Sequence, residues 1–152
     1  MNKYTSLIVV AAFATSCSSS LAPLRKDGLK PTVVTETVLH DTDYPAIWIH
    51  PTNPQESLVI GTDKDTDGGL YVFNLQGKII KKSETIKRPN NVDIAYGLQI
   101  DGVLTDIAVT TERETNKIRI FSLPDLKPLD NGGIPVFEGE LERDPMGIAI
   151  YI

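Results

Sequence analysis

From residue 33 onward, short apolar and β-branched runs alternate with turn residues, a pattern typical of short strands joined by tight turns. Ten strands are predicted, at residues 33–39, 46–49, 58–62, 70–74, 78–82, 92–100, 107–111, 117–122, 136–140 and 147–152. No segment after residue 17 has the apolar spacing of an amphipathic helix. The pattern therefore predicts an all-β fold.

The runs repeat with a period of slightly under 50 residues. Residues 62–67 (TDKDTD) are matched 49 positions later by 111–116 (TERETN), and 70–75 (LYVFNL) are matched 48 positions later by 118–123 (IRIFSL). Four strands per period is the size of a β-propeller blade. We expect two blades and, from Pro145, the start of a third. A compact two-sheet sandwich is the alternative, but it leaves the third unit unexplained. Because a propeller needs at least about four blades to close, the chain is expected to be part of a longer protein.

The N-terminal segment predicts targeting rather than folding. Lys3 precedes an apolar stretch at 7–14 that is too short to span a bilayer, and small residues then lead to Cys17, the one cysteine (ATSC). This resembles a bacterial lipoprotein lipobox, in which Cys17 becomes the lipidated N-terminus. An ordinary secretory signal is the alternative. Residues 1–17 are thus a predicted signal peptide, 18–31 a polar tether and 32–152 an incomplete propeller domain. We expect a lipid-anchored protein of the bacterial cell envelope, at the outer membrane.

Charge narrows the class of partner. A net charge of −5 and a pI near 5.0 argue against nucleic acid, which usually requires a basic face. Clustered carboxylates suit divalent cations better.

Carboxylates and amides precede two of the predicted inner strands. Residues 40–48 read HDTDYPAIW, and 90–94 read NNVDI at the corresponding place in the second unit. Inner propeller strands begin near the central channel, so these oxygens are expected to converge as Ca²⁺ ligands. The alternative is that Asp, Asn and Pro only form turns and strand caps. Lys64 and Arg113, each flanked by acids in the repeated segment, are candidates for binding a polyanion; alternatively, they are solvated loop charges paired with neighbouring acids.

These two segments resemble the signatures of the β-propeller phytases, which read approximately DAxDDPAIW and NNVDLRY. The resemblance covers about residues 33–152. It implies a six-bladed, calcium-dependent propeller that hydrolyses phosphomonoesters of phytate, bound as its calcium complex, or related phosphomonoesters. Direct attack of a metal-activated water on phosphorus is the implied reaction.

Residue roles follow from the same resemblance, position by position. It implies that substrate phosphate is held by Lys64 and Arg113, and that calcium is bound or supported by Asp43, Asn91 and Asp93, with Asn90 as a further candidate. The chain departs from the family at three positions, where Tyr44, Ala95 and Met146 stand for an Asp, an Arg and a Tyr. Further calcium-bridging acids of the family come from later blades, so the chain alone is expected to be inactive.

Other functions remain open on the sequence. A non-enzymatic surface propeller that binds a ligand or partner is the main alternative, and another metal-dependent propeller hydrolase, such as a lactonase, is a third. Residues 63–68 (DKDTDG) imitate an EF-hand loop, but the twelfth position is Asn74 and the flanks are predicted strands. We therefore discount an EF-hand, while leaving open a looser calcium contact from that loop.

Overall fold

The computed structural model describes residues 27–140 and 142–151. The chain divides into two units, Met1–Lys30 and Pro31–Ile152. The predicted signal peptide, most of the tether and Cys17 lie outside the described residues, so their assignment stays a prediction. Within the described part, no helix is long and apolar enough to cross a membrane.

Two four-stranded antiparallel sheets follow one another along the chain, each with its strands in sequence order. Blade 1 consists of β1 (Thr42–Trp48), β2 (Leu58–Asp63), β3 (Gly69–Asn74) and β4 (Ile79–Lys82). Blade 2 consists of β5 (Pro89–Ile100), β6 (Val103–Glu112), β7 (Lys117–Leu123) and β8 (Ile134–Pro135). A single 3₁₀ turn, Pro54–Glu56, is the only helical element in the described chain. The all-β propeller prediction is confirmed, and each repeat forms one blade.

The core lies between the blades. Its buried members come from both sheets and from the chain on either side of them: Trp48, Leu58, Ile60, Leu70, Val72, Ile86, Val92, Ala108, Phe121, Leu123 and Leu126. A second apolar group, around Tyr71 and Phe73, covers the other face of blade 1, and a third, around Ile107 and Val109, covers the other face of blade 2. Strands with apolar residues on both faces suit blades, whose sheets are packed on each side.

A repeated hydroxyl bond connects one unit to the next. Thr62, near the end of β2, donates from Oγ1 to the carbonyl of Asn90 in blade 2 at 2.9 Å. Its counterpart Thr111 donates from Oγ1 to the carbonyl of Met146 at 3.2 Å. The second bond joins β6 to the segment predicted to begin the third unit. The repeat therefore preserves a contact between units as well as a strand pattern.

We expect Thr62→Val to lower the free energy of unfolding of the full-length protein by about 1–3 kcal/mol. The substitution leaves a buried carbonyl without its donor and also removes the acceptor for the Tyr44 backbone N–H, which lies 3.0 Å from Oγ1. Denaturant unfolding measures the change. Thr105→Val is the matched control, because the Thr105 hydroxyl makes only an exposed local bond to the Val103 carbonyl. Equal losses in the two variants would argue against a link between blades.

Three predicted strands differ from the structure. Residues 33–39 form no strand. The Glu36 backbone N–H donates to the Gly77 carbonyl at 2.7 Å, but the Ile79 N–H donates to the Glu36 carboxylate and not to a backbone carbonyl, so no ladder of backbone bonds forms. The strand predicted at 136–140 is instead Ile134–Pro135, since Phe137 has φ 55° and cannot continue an extended strand. Residues 147–151 have no strand assignment, and the Ile150 N–H donates to the Asp93 carboxylate at 2.7 Å. The predictions at these three places were wrong.

The β5–β6 hairpin is longer than predicted. Asp101 and Gly102 form its tip with φ values of 48° and 83°, the pair of positive angles that a type I′ turn requires. Strand pairing continues up to Ile100 and Val103 on either side. An Asp-Gly pair between two apolar runs is itself a hairpin signal, and the predicted strands at 92–100 and 107–111 do not use it.

Candidate functional site

The two repeated loops, 63–68 and 112–116, lie side by side at one end of the blades. The backbone N–H of Arg88 donates to the Asp65 carbonyl at 2.9 Å, and the Arg88 carbonyl accepts from the Arg113 N–H at 3.2 Å. The Thr66 hydroxyl also donates to the Glu114 carboxylate at 2.5 Å. We use the name two-loop corner for these two loops, for Lys87 and Arg88, and for the two carboxylates outside the loops that pair with loop bases, Asp43 and Asp144. Lys64 and Arg113 therefore stand on adjacent loops of neighbouring blades.

Lys64 lies against the first signature segment. Its Nζ is 3.1 Å from Oδ2 of Asp43, and about a quarter of the lysine side chain is exposed. The Lys64 backbone N–H also donates to the Asp41 carbonyl at 2.7 Å. A predicted phosphate-binding base and a predicted calcium-binding acid are thus brought into contact.

Arg113 has the corresponding arrangement in blade 2. Its Nη2 lies 2.7 Å from Oδ2 of Asp144, while only 18% of the arginine side chain is exposed and half of the aspartate is. Its Nε is buried and has no hydrogen-bond partner among the described residues. The guanidinium therefore keeps unused donor capacity. Asp144 was not singled out from the sequence, since a single acid before a proline is no signal by itself.

The second signature segment makes mostly structural contacts. Asn90 Nδ2 donates to the Met146 carbonyl at 2.9 Å and to Oδ1 of Asn91 at 2.5 Å. The Asp93 carboxylate accepts two backbone N–H groups. That of Ile94 donates to Oδ1 at 2.9 Å, and that of Ile150 donates to Oδ2 at 2.7 Å. These bonds hold the 145–151 segment against blade 2. The roles predicted for Asn91 and Asp93 at a metal stay predictions, and the contacts suit a support more directly than a ligand.

The acid at the start of each repeated loop is buried, which the sequence prediction missed. Asp63 has no exposed surface; its Oδ1 accepts the backbone N–H groups of His40 and Asp41, at 3.2 and 2.8 Å, and its Oδ2 has no partner among the described residues. Its counterpart Glu112 is 5% exposed and accepts from Arg119 at 3.0 Å. The repeat offers a signal for this burial, because in both copies an acid stands at the last position of a strand.

Arg119 forms a buried ion cluster with three acids. It donates to Oδ2 of Asp130 at 2.9 Å, to Glu112 and to Glu84. Burial alone would lower the pKa of Arg119, but the hydrogen bonds to Asp130, Glu84 and Glu112 raise it above its ordinary value. Burial alone would raise the pKa of Asp130, but the hydrogen bonds from Arg119 and from the Ile120 N–H hold it below its ordinary value. Both groups therefore stay charged inside blade 2.

The described residues do not form a complete metal cage. No group of three or more His, Cys, Asp or Glu side chains in the described chain is arranged to hold a metal ion. In the EF-hand-like loop, Oδ1 of Asp65 accepts the Asp67 N–H at 3.4 Å and Asp67 lies 3.3 Å from Lys87. Because the loop joins β2 to β3, two strands flank it where an EF-hand has helices. The carboxylates are near one another in sequence but engaged in separate contacts.

The three departures from the family signatures fall in different surroundings. Tyr44 is 47% exposed, and its backbone N–H donates to the Thr62 hydroxyl. Ala95 is 4% exposed, in the apolar group on the outer face of blade 2. Met146 exposes half of its surface, while its carbonyl accepts from Asn90 and Thr111. Position 95 is therefore apolar in this chain, whereas positions 44 and 146 remain open to solvent.

Comparison with known proteins relates the chain to phytases. The family model described as Phytase matches residues 3–131. The chain is also similar to the 3-phytase of Bacillus subtilis (strain 168), with 40% identity over 75 residues. That alignment covers 49% of this chain and 19% of the relative, so the chain spans about a fifth of the length of the curated protein it matches.

Proposed function

Because the chain belongs to the phytase family, of β-propeller type, we propose that it supplies two adjacent blades of a calcium-dependent enzyme that hydrolyses phosphomonoesters of phytate. The propeller architecture and the family match support the reaction class. The substrate is proposed by analogy with the relative, which is a 3-phytase.

The single observation that carries the proposal is the juxtaposition of the two loops bearing Lys64 and Arg113. Their backbones are joined through Arg88, so two cationic side chains from adjacent blades are offered at one corner. A fully ionised phosphomonoester carries close to two negative charges near neutral pH. Two bases on rigid strand ends are suited to hold such a group in a fixed position.

The two bases have different roles in this proposal. Arg113 can bind two phosphate oxygens at once through its planar fork. Lys64 acts as a compact point charge. Each is held by an acid before the ligand arrives, Asp43 for Lys64 and Asp144 for Arg113. These acids orient the bases and are displaced or shared when phosphate binds.

Charge balance supports the calcium dependence. The two-loop corner contains four bases against seven acids, and it is therefore net negative when all of them are ionised. The acids are Asp43, Asp63, Asp65, Asp67, Glu112, Glu114 and Asp144, and the bases are Lys64, Lys87, Arg88 and Arg113. A polyanion approaching this corner is repelled unless cations offset the excess. Calcium, if bound there, would supply that positive charge and would lower the pKa of a coordinated water. The described residues by themselves form no complete cage for this ion.

Location at the cell envelope is part of the same proposal. It rests on the sequence before and at Cys17, where an apolar run of 7–14 is followed by small residues. Lipidation of Cys17 would tether the propeller to a membrane through residues 18–31. The substrate would then be met outside the cytoplasm.

Removal of calcium tests the proposed activity. We expect the full-length protein that carries this chain to release orthophosphate from phytate with Ca²⁺ present and to lose at least about 100-fold of that rate after chelation. Restoring Ca²⁺ should restore the rate, which separates metal dependence from denaturation. Full activity in chelator would contradict the calcium part. Binding of phytate without release, in the presence of Ca²⁺, would instead support a non-enzymatic binding propeller.

A further inference from the structure

The chain enters blade 1 at the end opposite the two-loop corner. The Glu36 N–H donates to the Gly77 carbonyl at 2.7 Å, and five residues later the Asp41 carbonyl accepts from the Lys64 N–H at 2.7 Å. Gly77 and Lys64 lie beyond opposite ends of β3, a strand of six residues that is about 20 Å long. Only residues 32–35 separate the predicted tether from Glu36. The tether therefore joins the propeller at the end away from the corner.

Exposed bases and apolar side chains surround this point of entry. Lys81 on β4 and Lys127 after β7 lie against the same acid, Asp125, at 3.7 and 3.8 Å. Lys78, in the turn before β4, pairs with Glu36 at 2.8 Å. Three apolar side chains lie among these lysines or beside the turn, and they are between 39% and 75% exposed. We use the name tether-side rim for the six exposed residues Val34, Leu75, Lys78, Ile80, Lys81 and Lys127.

Closure of the propeller leaves the edge of this rim at the surface. The strands of blade 1 follow one another in the order β1-β2-β3-β4, so β4 is the outermost strand. Blades of a propeller pack face to face around the central channel, and their outermost strands form the circumference. Further blades therefore cover the faces of blade 1 and not the outer edge of β4, which carries Ile80 and Lys81.

The charge of the chain is divided between the two ends of the blades. The two-loop corner has four bases against seven acids. At the opposite end, the three lysines of the rim face two acids, Glu36 and Asp125. The tether adds three bases and one acid, Arg25, Lys26, Lys30 and Asp27. Rim and tether together thus hold six bases against three acids, in a chain whose net charge is −5.

We propose that the tether-side rim docks on the anionic phospholipid surface of the membrane. This inference rests on the proposed location, which places a lipid anchor at Cys17. Lysines are attracted to anionic headgroups, and apolar side chains between them enter the interface. Exposed ion pairs contribute little to stability, so the rim lysines can exchange Glu36 and Asp125 for lipid phosphates. The consequence is an orientation in which the two-loop corner faces the aqueous side, where the membrane charge repels a polyanion least.

Vesicle binding tests this proposal with the full-length protein produced from Ser18 onward, a form to which no lipid can be attached at Cys17. We expect co-sedimentation at about 50 mM salt with phosphatidylcholine vesicles that contain about 30% phosphatidylglycerol, and none with pure phosphatidylcholine vesicles. Lys81→Gln/Lys127→Gln should weaken the affinity for the anionic vesicles at least about fivefold.

Lys117→Gln/Arg143→Gln is the matched control. It also removes two bases, but Lys117 begins β7 beside the loop 112–116 and Arg143 precedes Asp144 of the corner. Its affinity for the anionic vesicles should stay within about twofold of the wild type. Circular dichroism checks that both double variants are folded.

Three results would overturn the proposal. Equal losses in the two double variants would mean that total charge and not the rim determines binding, and equal binding to both kinds of vesicle would exclude recognition of anionic lipid. A rim variant that keeps its vesicle affinity but changes its oligomeric state in analytical ultracentrifugation would make the rim an interface between copies. Mass spectrometry of Cys17 judges the proposed location separately: an unmodified thiol would refute the anchor, while rim-dependent vesicle binding would still support the docking surface.

Discussion

Arg113→Ala in the full-length protein is expected to lower kcat/KM for phytate by about 100-fold, the scale seen when one preorganised donor to a reacting oxyanion is lost. The substitution removes the guanidinium fork that the proposed function assigns to phosphate. Its cost to folding should be small, because its partner Asp144 is half exposed and stays solvated when left alone. Initial rates of orthophosphate release measure the change, and thermal unfolding checks that the variant is folded.

Arg113→Lys separates charge from geometry in the same assay. Lysine keeps the positive charge but cannot bind two oxygens in one plane, so an intermediate loss of about tenfold is expected. If alanine and lysine at this position leave the rate unchanged, Arg113 has no part in holding phosphate. An equal 100-fold loss in both variants would show that the effect depends on the paired N–H donors of the guanidinium and not on its charge.

Arg119→Met is expected to have the largest effect on stability, lowering the free energy of unfolding by about 3–5 kcal/mol. The variant leaves two buried carboxylates without their cation, because the side chain of Glu112 is 7% exposed and that of Asp130 is 0% exposed. Denaturant unfolding at neutral pH measures the loss. Arg143→Met is the matched control, since Arg143 and Glu140 are both at least half exposed. Its effect should stay within about 0.5 kcal/mol.

Acid should narrow the gap between the wild type and Arg119→Met. The pKa of Asp130 is held below its ordinary value of 3.8 in the folded protein by its contacts with Arg119 and backbone N–H groups. That stabilisation is present above the unfolded pKa and is lost as pH falls through the folded pKa. Unfolding curves at pH 7 and at successive values below about 4 test this sign. A gap that widens in acid would contradict the proposed pairing.

The repeat was the part of the fold that the sequence could predict. The predicted strands at 58–62, 70–74 and 117–122 match β2, β3 and β7 to within one residue, because their β-branched and aromatic residues are buried or partly buried on both faces. The run at 33–39 has similar composition but pairs through a single backbone bond. Composition cannot distinguish a run that lies beside a sheet from one that belongs to it, since the difference depends on which partner lies opposite.

The candidate site was predictable only in part, for a related reason. Lys64 and Arg113 could be found because they stand at the same place in two copies of one segment. Arg119 could not, because a charged residue between two isoleucines of a strand is ordinarily expected to face solvent. Its burial depends on three acids that come from β6 and from two separate loops. Nor does the sequence indicate that Arg88 bridges both loops, as this follows from backbone hydrogen bonds across residues 65, 88 and 113.

The central claim is that the two repeated loops form one phosphate-binding corner, and a pair of double variants tests it most directly. Lys64→Met/Arg113→Met removes two charges at the corner, whereas Lys81→Met/Lys127→Met removes two exposed charges that both lie against Asp125. The measurement is the initial rate of orthophosphate release from phytate by each full-length variant with Ca²⁺ present. We expect the first variant to fall to background and the second to stay within about twofold of the wild type. Equal rates in the two variants would contradict the account.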